Sequence, residues 1–383
     1  MAERRIAHLD MDAFYASVEL LRYPDLHGLA VVIGGRSEHQ PVPRPDGSRR
    51  YARLRDYAGR GVVTTATYEA RALGVSSGMG IMQAARLAPE ATLLPVDFTA
   101  YRHYSRLFKE AVARLAPQVE DRGIDEIYLD LSELPGETRA LAQSIKDAVR
   151  QATGLSCSIG IAANKLLAKI CSDLDKPDGL TVLGAADIGS RIWPLPVRKI
   201  NGIGPKAGER LAALGINSIG QLAAADTILL QQHFGRSYGR WLTDAAHGID
   251  QRPLITSAAP KSISRESTFA HDLHPRQDRE VLGGIFTALC RQVAADLQRQ
   301  NCLGRTIGVK LRFADFETVT RDHTLASATA DVQLIRRVAG ACLRRVPLDR
   351  KLRLLGVRVG SLLPRHGAVT RPDLRQGELE LSS

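Results

Sequence analysis

The sequence predicts an α+β fold divided among several domains, and three observations carry that expectation. Short apolar strand patterns alternate with longer amphipathic helix patterns through the N-terminal part of the chain. A glycine-rich stretch, Ile200-Asn201-Gly202-Ile203-Gly204-Pro205-Lys206, then opens a helical region with the pattern of a helix-hairpin-helix. Residues 262–359 finally read strand, helix, strand, strand, helix, strand, a β-α-β-β-α-β order. At 383 residues the chain is long enough for two to four domains, each with its own core.

Composition narrows the class. The chain is 44% hydrophobic and 24% charged, as expected of a soluble globular protein. No run approaches the ~20 apolar residues of a membrane span. Residues 1–5 lead into a short apolar strand instead of a signal-peptide core, so a cytoplasmic protein is expected. The five cysteines are odd in number and form no Cys-x-x-Cys pair, which argues against a disulfide framework and against a zinc site. A net charge of +11 suits a polyanionic partner, although basic surfaces also occur without one. Residues 262–364 hold 17 Lys or Arg against 10 Asp or Glu, so the C-terminal domain carries much of the excess.

Two strands end in acid. Ile6-Ala7-His8-Leu9 runs into Asp10-Met11-Asp12, and Ile127, Leu129 and Leu131 alternate with Glu126, Tyr128 and Asp130 in the period of a half-buried strand. On a regular strand Asp125 and Glu126 would face opposite ways, so both reach one ion only from a bent strand start, where Gly123 supplies a turn. Asp10, Asp125 and Glu126 together would make an oxygen site suited to Mg2+. Read singly, each acid is more often a cap or a solvated turn residue, because Asp at strand ends is common.

The remaining elements follow in order. Residues 15–21 read as helix and 29–35 as an apolar strand. The segment 36–60, with seven Arg against three acids and a Pro45-Asp46-Gly47 turn, reads as a mobile loop in preference to a hairpin touching nucleic acid. Residues 61–71 form a β-branched strand passing into a helix, whose first turn places Tyr68 and Arg71 on one face, able to meet one phosphate. Residues 98–116 and 140–152 read as amphipathic helices, 155–162 as a strand, and 164–175 as a helix stopped by Lys176-Pro177-Asp178-Gly179. The interleaving predicts a sheet with helices on one side. In the glycine-rich stretch Gly202 and Gly204 allow the backbone to approach a phosphate, and Pro205 suits the first turn of a helix whose N–H groups face an anion. A weaker copy follows at 234–239. Residues 248–259 look like a linker, and in 306–313 the apolar Ile307, Val309, Leu311 and Phe313 leave Lys310 and Arg312 exposed together.

The stretches Asp10-Met11-Asp12-Ala13-Phe14-Tyr15-Ala16-Ser17-Val18-Glu19 and Ile124-Asp125-Glu126-Ile127-Tyr128-Leu129-Asp130 resemble the two catalytic signatures of the Y-family DNA polymerases, which copy damaged templates. The likeness is greatest to the bacterial DNA polymerase IV, or DinB, type, and it spans nearly the whole chain. One departure is Gly123, where the family usually has Ser.

The resemblance implies a right-hand polymerase: a ferredoxin-like palm (1–21 and 95–183), small fingers (22–94, with the basic insert 36–60), a helix-hairpin-helix thumb (184–250), a linker (251–261), a little finger (262–364) and a flexible tail (365–383). It implies a monomeric DNA-directed DNA polymerase engaged in translesion synthesis, with primer-template DNA and dNTP as partners. Two Mg2+ ions, replaceable by Mn2+, would be held by Asp10, Asp125, Glu126 and the Met11 carbonyl. Asp12, Ala13, Phe14, Tyr15, Thr65, Tyr68, Arg71 and Lys176 would line the nucleotide, with Tyr15 as a steric gate against a 2′-hydroxyl. Gly202, Gly204, Lys206, Lys310 and Arg312 would touch DNA. In the tail Gln376, Leu379 and Leu381 resemble the peptide by which such polymerases dock on the sliding clamp, without its usual terminal Phe. Two alternatives remain at this point. A catalytically silent DNA-binding relative should lack a metal carboxylate, and a metal-dependent nuclease has no need of Tyr68, Arg71 and Lys176 together.

Overall fold

The structure, a computed structural model, describes residues 4–257 and 259–365. The chain divides into two compact units, with the boundary in sequence between Thr256 and Ser257.

The first unit contains, in chain order, β1 (Ile6–Met11), α1 (Phe14–Arg22), β2 (Val31–Gly35), β3 (Val42–Pro43), β4 (Arg49–Arg50), β5 (Ala52–Arg53), β6 (Thr65–Ala66), α2 (Tyr68–Ala72), α3 (Ile81–Leu87), β7 (Thr92–Pro95), α4 (Phe98–Leu115), β8 (Val119–Asp121), β9 (Glu126–Asp130), α5 (Thr138–Thr153), β10 (Cys157–Ala162), α6 (Lys165–Ser172) and β11 (Leu180–Val182). Four further helices follow: α7 (Pro205–Ala213), α8 (Ile219–Ala223), α9 (Thr227–Phe234) and α10 (Arg236–Ala246).

Its main sheet has the order β11-β10-β1-β9-β8. The alternation read from the sequence decides its faces. Ala7, Leu9, Met11, Ile127, Leu129, Ile159 and Ile161 point into one core with Tyr101, Phe108 and Val112 of α4 and Ile145 and Val149 of α5. Each large side chain buried there contributes about 1.5–3 kcal/mol. Ile6, Tyr128 and Ala162 point the other way, onto Leu166, Leu167 and Ile170 of α6. Helices therefore cover both faces of the sheet, not one. The cause is Gly160, where an added Cβ would stand 2.2 Å from Ser172 N and 2.3 Å from Ala168 O, so α6 rests directly on the strand backbone. Side-chain caps begin three of these helices: Asp97 accepts from Ala100 N, Glu137 from Ala140 N and Asn164 from Leu167 N.

A smaller sheet, β5-β7-β2-β6, carries the segment 36–60. That segment is not the loose loop its composition suggests. β3 and β4 form a hairpin, β5 pairs with β7, and Leu54 and Tyr57 are 0% and 4% exposed in a core with Val32, Ile81 and Leu93. Arg53 donates to the Glu90 carbonyl at 2.8 Å and Arg55 pairs with the Glu90 carboxylate. Two apolar anchors and two committed arginines are hidden in a string that looks uniformly polar.

In the helical region Gly204 caps α7 with Pro205 at its first position, and Gly202 has φ 114°. Trp241 of α10 lies against Gly202, and the Tyr238 hydroxyl donates to the Gly202 carbonyl at 2.8 Å. The segment after α10 stays on the main sheet's helix: Asp250 accepts from Leu166 N, and Glu120, ion-paired to Lys165, accepts from Ile255 N.

The second unit is a four-stranded antiparallel sheet, β12 (Ser262–Leu273), β13 (Cys302–Phe313), β14 (Thr318–Thr329) and β15 (Leu352–Pro364), with α11 (Arg279–Arg299) and α12 (Val332–Leu343). The sheet order is β12-β15-β13-β14, and chain order gives β-α-β-β-α-β. Ile307, Val309, Leu311 and Phe313 pack with Leu289, Val293 and Ile335 of the two helices. On the opposite face Gly308 and Gly356 floor a trough lined by Lys310, Glu266, Asp322 and Arg358. The peptide at Gln376, Leu379 and Leu381 lies outside the described residues.

Candidate active site

The site forms where β1 ends and β9 begins. The two strands are antiparallel neighbours with Asp10 opposite Glu126, and Met11 N donates to the Asp125 carbonyl at 2.9 Å. Asp125 lies just before β9, in the turn the sequence placed there. That turn is pinned by Lys109 of α4, whose ammonium donates to both Asp121 oxygens at 2.9 Å and to the Gly123 carbonyl at 2.7 Å. An added Cβ at Gly123 would approach Glu126 Cγ at 3.4 Å and Asp125 Oδ1 at 3.6 Å, so the position adjoins both acids.

The electrostatics of the three carboxylates differ. Asp125 is pushed up to about 6, first by burial and then by the charges of Asp10 and Glu126. Glu126 is held down at about 2, chiefly by its hydrogen bond with His8 and by Lys169. His8 Nε2 lies 3.2 Å from Glu126 Oε2, and His8 Nδ1 lies 2.8 Å from Ser172 Oγ. Burial lowers the His8 pKa, while its hydrogen bond with Glu126 pulls the other way. Lys169 pairs with Glu126 from the other side. Lys176 stands 2.5 Å from Asp10, whose charge raises its ammonium pKa although burial opposes this.

This donor set fits a hard divalent cation. Three carboxylates meet at two neighbouring strand ends, Asp125 is raised by burial and then by the charges of the other two, and Lys176 and Lys169 pair with those two. The ligand atoms of His8, Asp10 and Glu126 lie within 4.8 Å of one another. His8 stands beside two of the acids the sequence suggested, with both ring nitrogens engaged by Glu126 and Ser172. Its signal was present, because residues two apart on a strand share a face and His8 precedes Asp10 by two. Lys109, Lys169 and Ser172 left no such trace, since only the packing of α4 and α6 brings them here.

Beside the acids, Tyr15 occupies the first turn of α1 and is stacked on Tyr101, ring centroids 4.3 Å apart at 17°, with Phe98 edge-on at 5.9 Å. Burial, and next the charge of Asp125, push its hydroxyl up to about 12. Tyr68, Arg71 and Thr65 come together: Arg71 lies 4.9 Å over the Tyr68 ring, and its Nε and Nη2 donate to the Ala66 carbonyl and Thr65 Oγ1. The Tyr68 hydroxyl is buried with no hydrogen-bond partner among the described residues, a donor waiting for an acceptor. Asp10, Asp12 and Lys176 all lie near enough to act on its charge. Asp12 turns its carboxylate inward, onto Ser156 and Ser158, while Ala13 and Phe14 are buried where the chain enters α1. Lys206 sits in the first turn of α7 beside Gly204. In the second unit Lys310 pairs with Glu266 at 2.7 Å and Arg312 donates to Thr318 Oγ1 at 3.0 Å.

Comparison with known proteins bears on this geometry. Residues 9–173 match the impB/mucB/samB family, residues 260–377 match the C-terminal domain of the same family, and residues 195–249 match the helix-hairpin-helix motif of DNA polymerase eta and Rev1. The chain is 40% identical over 370 residues to a DNA polymerase IV of Methanoculleus marisnigri, covering 96% of each. It is 35% identical over 375 residues to DNA polymerase IV 1 of Bacillus subtilis, covering 97% of this chain and 85% of that one. A solved Y-family DNA polymerase chimera, Dbh-Dpo4(243-245)-Dbh, superposes with a TM-score of 0.79 at 25% identity, over 94% of this chain and 99% of that one. Among the described residues no helix is long and apolar enough to cross a membrane.

Proposed function

Since the chain belongs to the impB/mucB/samB family of Y-family DNA polymerases, we infer that it is a template-directed DNA polymerase of the DNA polymerase IV type, acting in translesion synthesis. It extends a primer 3′-hydroxyl with deoxynucleotides paired to a template. The observation that carries the reading is the meeting of Asp10, Asp125 and Glu126 at two neighbouring strand ends, within a chain alike to such polymerases along nearly its whole length.

In the mechanism we propose, Asp10, Asp125, Glu126 and the Met11 carbonyl hold divalent metal, two Mg2+ ions with Mn2+ as a substitute. When bound, the metal supplies Lewis acidity at the primer hydroxyl and neutralises charge on the phosphates. The protein's own groups do the rest. Lys109 fixes the turn that presents Asp125, and His8 orients Glu126. Tyr68, Arg71 and Lys176 receive the triphosphate, and the orphaned Tyr68 hydroxyl gains the acceptor it lacks. Tyr15, unable to retreat from Tyr101 and Phe98, bars a 2′-hydroxyl. Gly202, Gly204 and Lys206 take a DNA phosphate in the first unit, while Lys310 and Arg312 do so in the second. A monomer that meets the sliding clamp through Gln376, Leu379 and Leu381 completes the proposal, supported by the peptide pattern alone.

Extension of a labelled primer-template tests the reading. Template-dependent growth is expected with wild type and its loss, by several orders of magnitude, with Asp125→Ala. Binding without extension would mean a silent relative, and shortening of the strand would mean a nuclease.

A further inference from the structure

Asp12 is 2% exposed, and a buried carboxylate survives only when hydrogen bonds replace its water. Three donors do so from two separate segments. Ser158 Oγ donates to Oδ1 at 2.7 Å, and Ser156 Oγ and the Asp178 N–H each donate to Oδ2 at 2.8 Å. Ser158 Oγ in turn accepts from Gly179 N at 3.1 Å. The backbone of Asp12 is held as well, its N–H donating to the Ser156 carbonyl at 3.2 Å and its carbonyl accepting from Ser17 Oγ at 2.6 Å. Ala13, next in the chain, is left-handed at φ 43° and ψ 44°, a conformation costing a residue other than glycine about 1–2 kcal/mol and kept only where neighbours fix it.

Asp12 thus stands at a junction. Three residues after it comes Tyr15, and two residues before its backbone partner Asp178 comes Lys176. Resting on the polymerase reading above, we propose that the Asp12 carboxylate is a positioning residue that sets the register between the sugar gate Tyr15 and the triphosphate lysine Lys176. It touches neither metal nor nucleotide with its side chain. By joining the β1–α1 turn to the 176–179 turn, it fixes where the sugar sits relative to the phosphates.

The test is single-nucleotide extension by wild type, Asp12→Ala and Asp12→Asn, each with a matched dNTP and rNTP. For Asp12→Ala the KM for dNTP should rise about tenfold, kcat should stay within about threefold, and the preference for dNTP over rNTP should fall several-fold. Asp12→Asn keeps one oxygen for the Asp178 N–H, so it should recover part of both effects, and it decides the matter if the alanine variant does not fold. Folded variants with wild-type KM and sugar preference would overturn the proposal, as would a fall in kcat alone. Absence of extension by the wild type would instead overturn the polymerase reading.

Discussion

Lys176 Nζ lies 2.5 Å from Asp10 Oδ1 and 3.0 Å from Asp173 Oδ1, so the lysine proposed for the triphosphate rests on a carboxylate proposed for metal. The two roles compete for one ammonium. Removing it should have opposite effects on the two ligands.

Lys176→Ala should raise the KM for dNTP ten- to a hundredfold, since a charge-assisted bond to phosphate is worth about 1.5–3 kcal/mol. The same variant frees Asp10, so half-saturation with Mg2+ should occur at a lower concentration. Steady-state extension over a grid of dNTP and Mg2+ concentrations reads both. A rise in both constants would show that Lys176 supports metal binding instead of competing with it.

Asp125 sets a pH dependence. Its folded pKa of about 6 lies above the ordinary carboxylate value of 3.8. The folded state therefore binds more protons than the unfolded state between those values, and metal-free stability should decline as pH rises through that window. Metal prefers the ionised acid and reverses the sign: apparent Mg2+ affinity should climb as pH rises to about 6 and level off above it, with a proton released on binding. Metal titrations at several pH values check this. Asp125→Asn should flatten both profiles.

Gly202→Ala tests the turn before α7. The residue has φ 114°, and a Cβ would stand 2.7 Å from Trp241 Cη2, so both backbone and packing resist a side chain. Destabilisation of about 1–3 kcal/mol is expected. Thermal melting measures it, with DNA binding weakened in parallel. An unchanged melting temperature would mean that Trp241 moves aside freely.

How far the sequence disclosed this molecule depended on whether the signal was local. The apolar run of β1 and the alternation of β9 revealed both strands and the acids at their ends, because a strand's pattern is written in neighbouring residues. Gly123 was legible as a turn for the same reason. The insert 36–60 was misread because Leu54 and Tyr57 are too few to form a periodic pattern, though they suffice to anchor it. The second helical face of the sheet was missed because Gly160 permits it, and the contact it permits lies on α6. Lys109 and Lys169 reach the site through tertiary packing alone.

The open face of the second unit bears on DNA. Lys310 and its partner Glu266 are both more than a third exposed, so their 2.7 Å contact stabilises the fold little and can be exchanged for another anion at small cost. Among the described residues Arg312 donates one neutral hydrogen bond, to Thr318, from Nε, and phosphate oxygens are further acceptors its Nη groups could meet. If both side chains meet the duplex backbone, the double variant Lys310→Ala, Arg312→Ala should weaken binding by a similar factor on unrelated sequences. It should also lower the slope of log affinity against log salt by about 0.9 for each lost phosphate contact. Glu266→Gln should act in the opposite sense, because it removes the anion that competes for Lys310. Binding titrations between about 50 and 200 mM salt resolve these changes. A double variant with the wild-type slope would place the duplex on another face, and a loss confined to one DNA sequence would mean that these residues read bases instead of backbone.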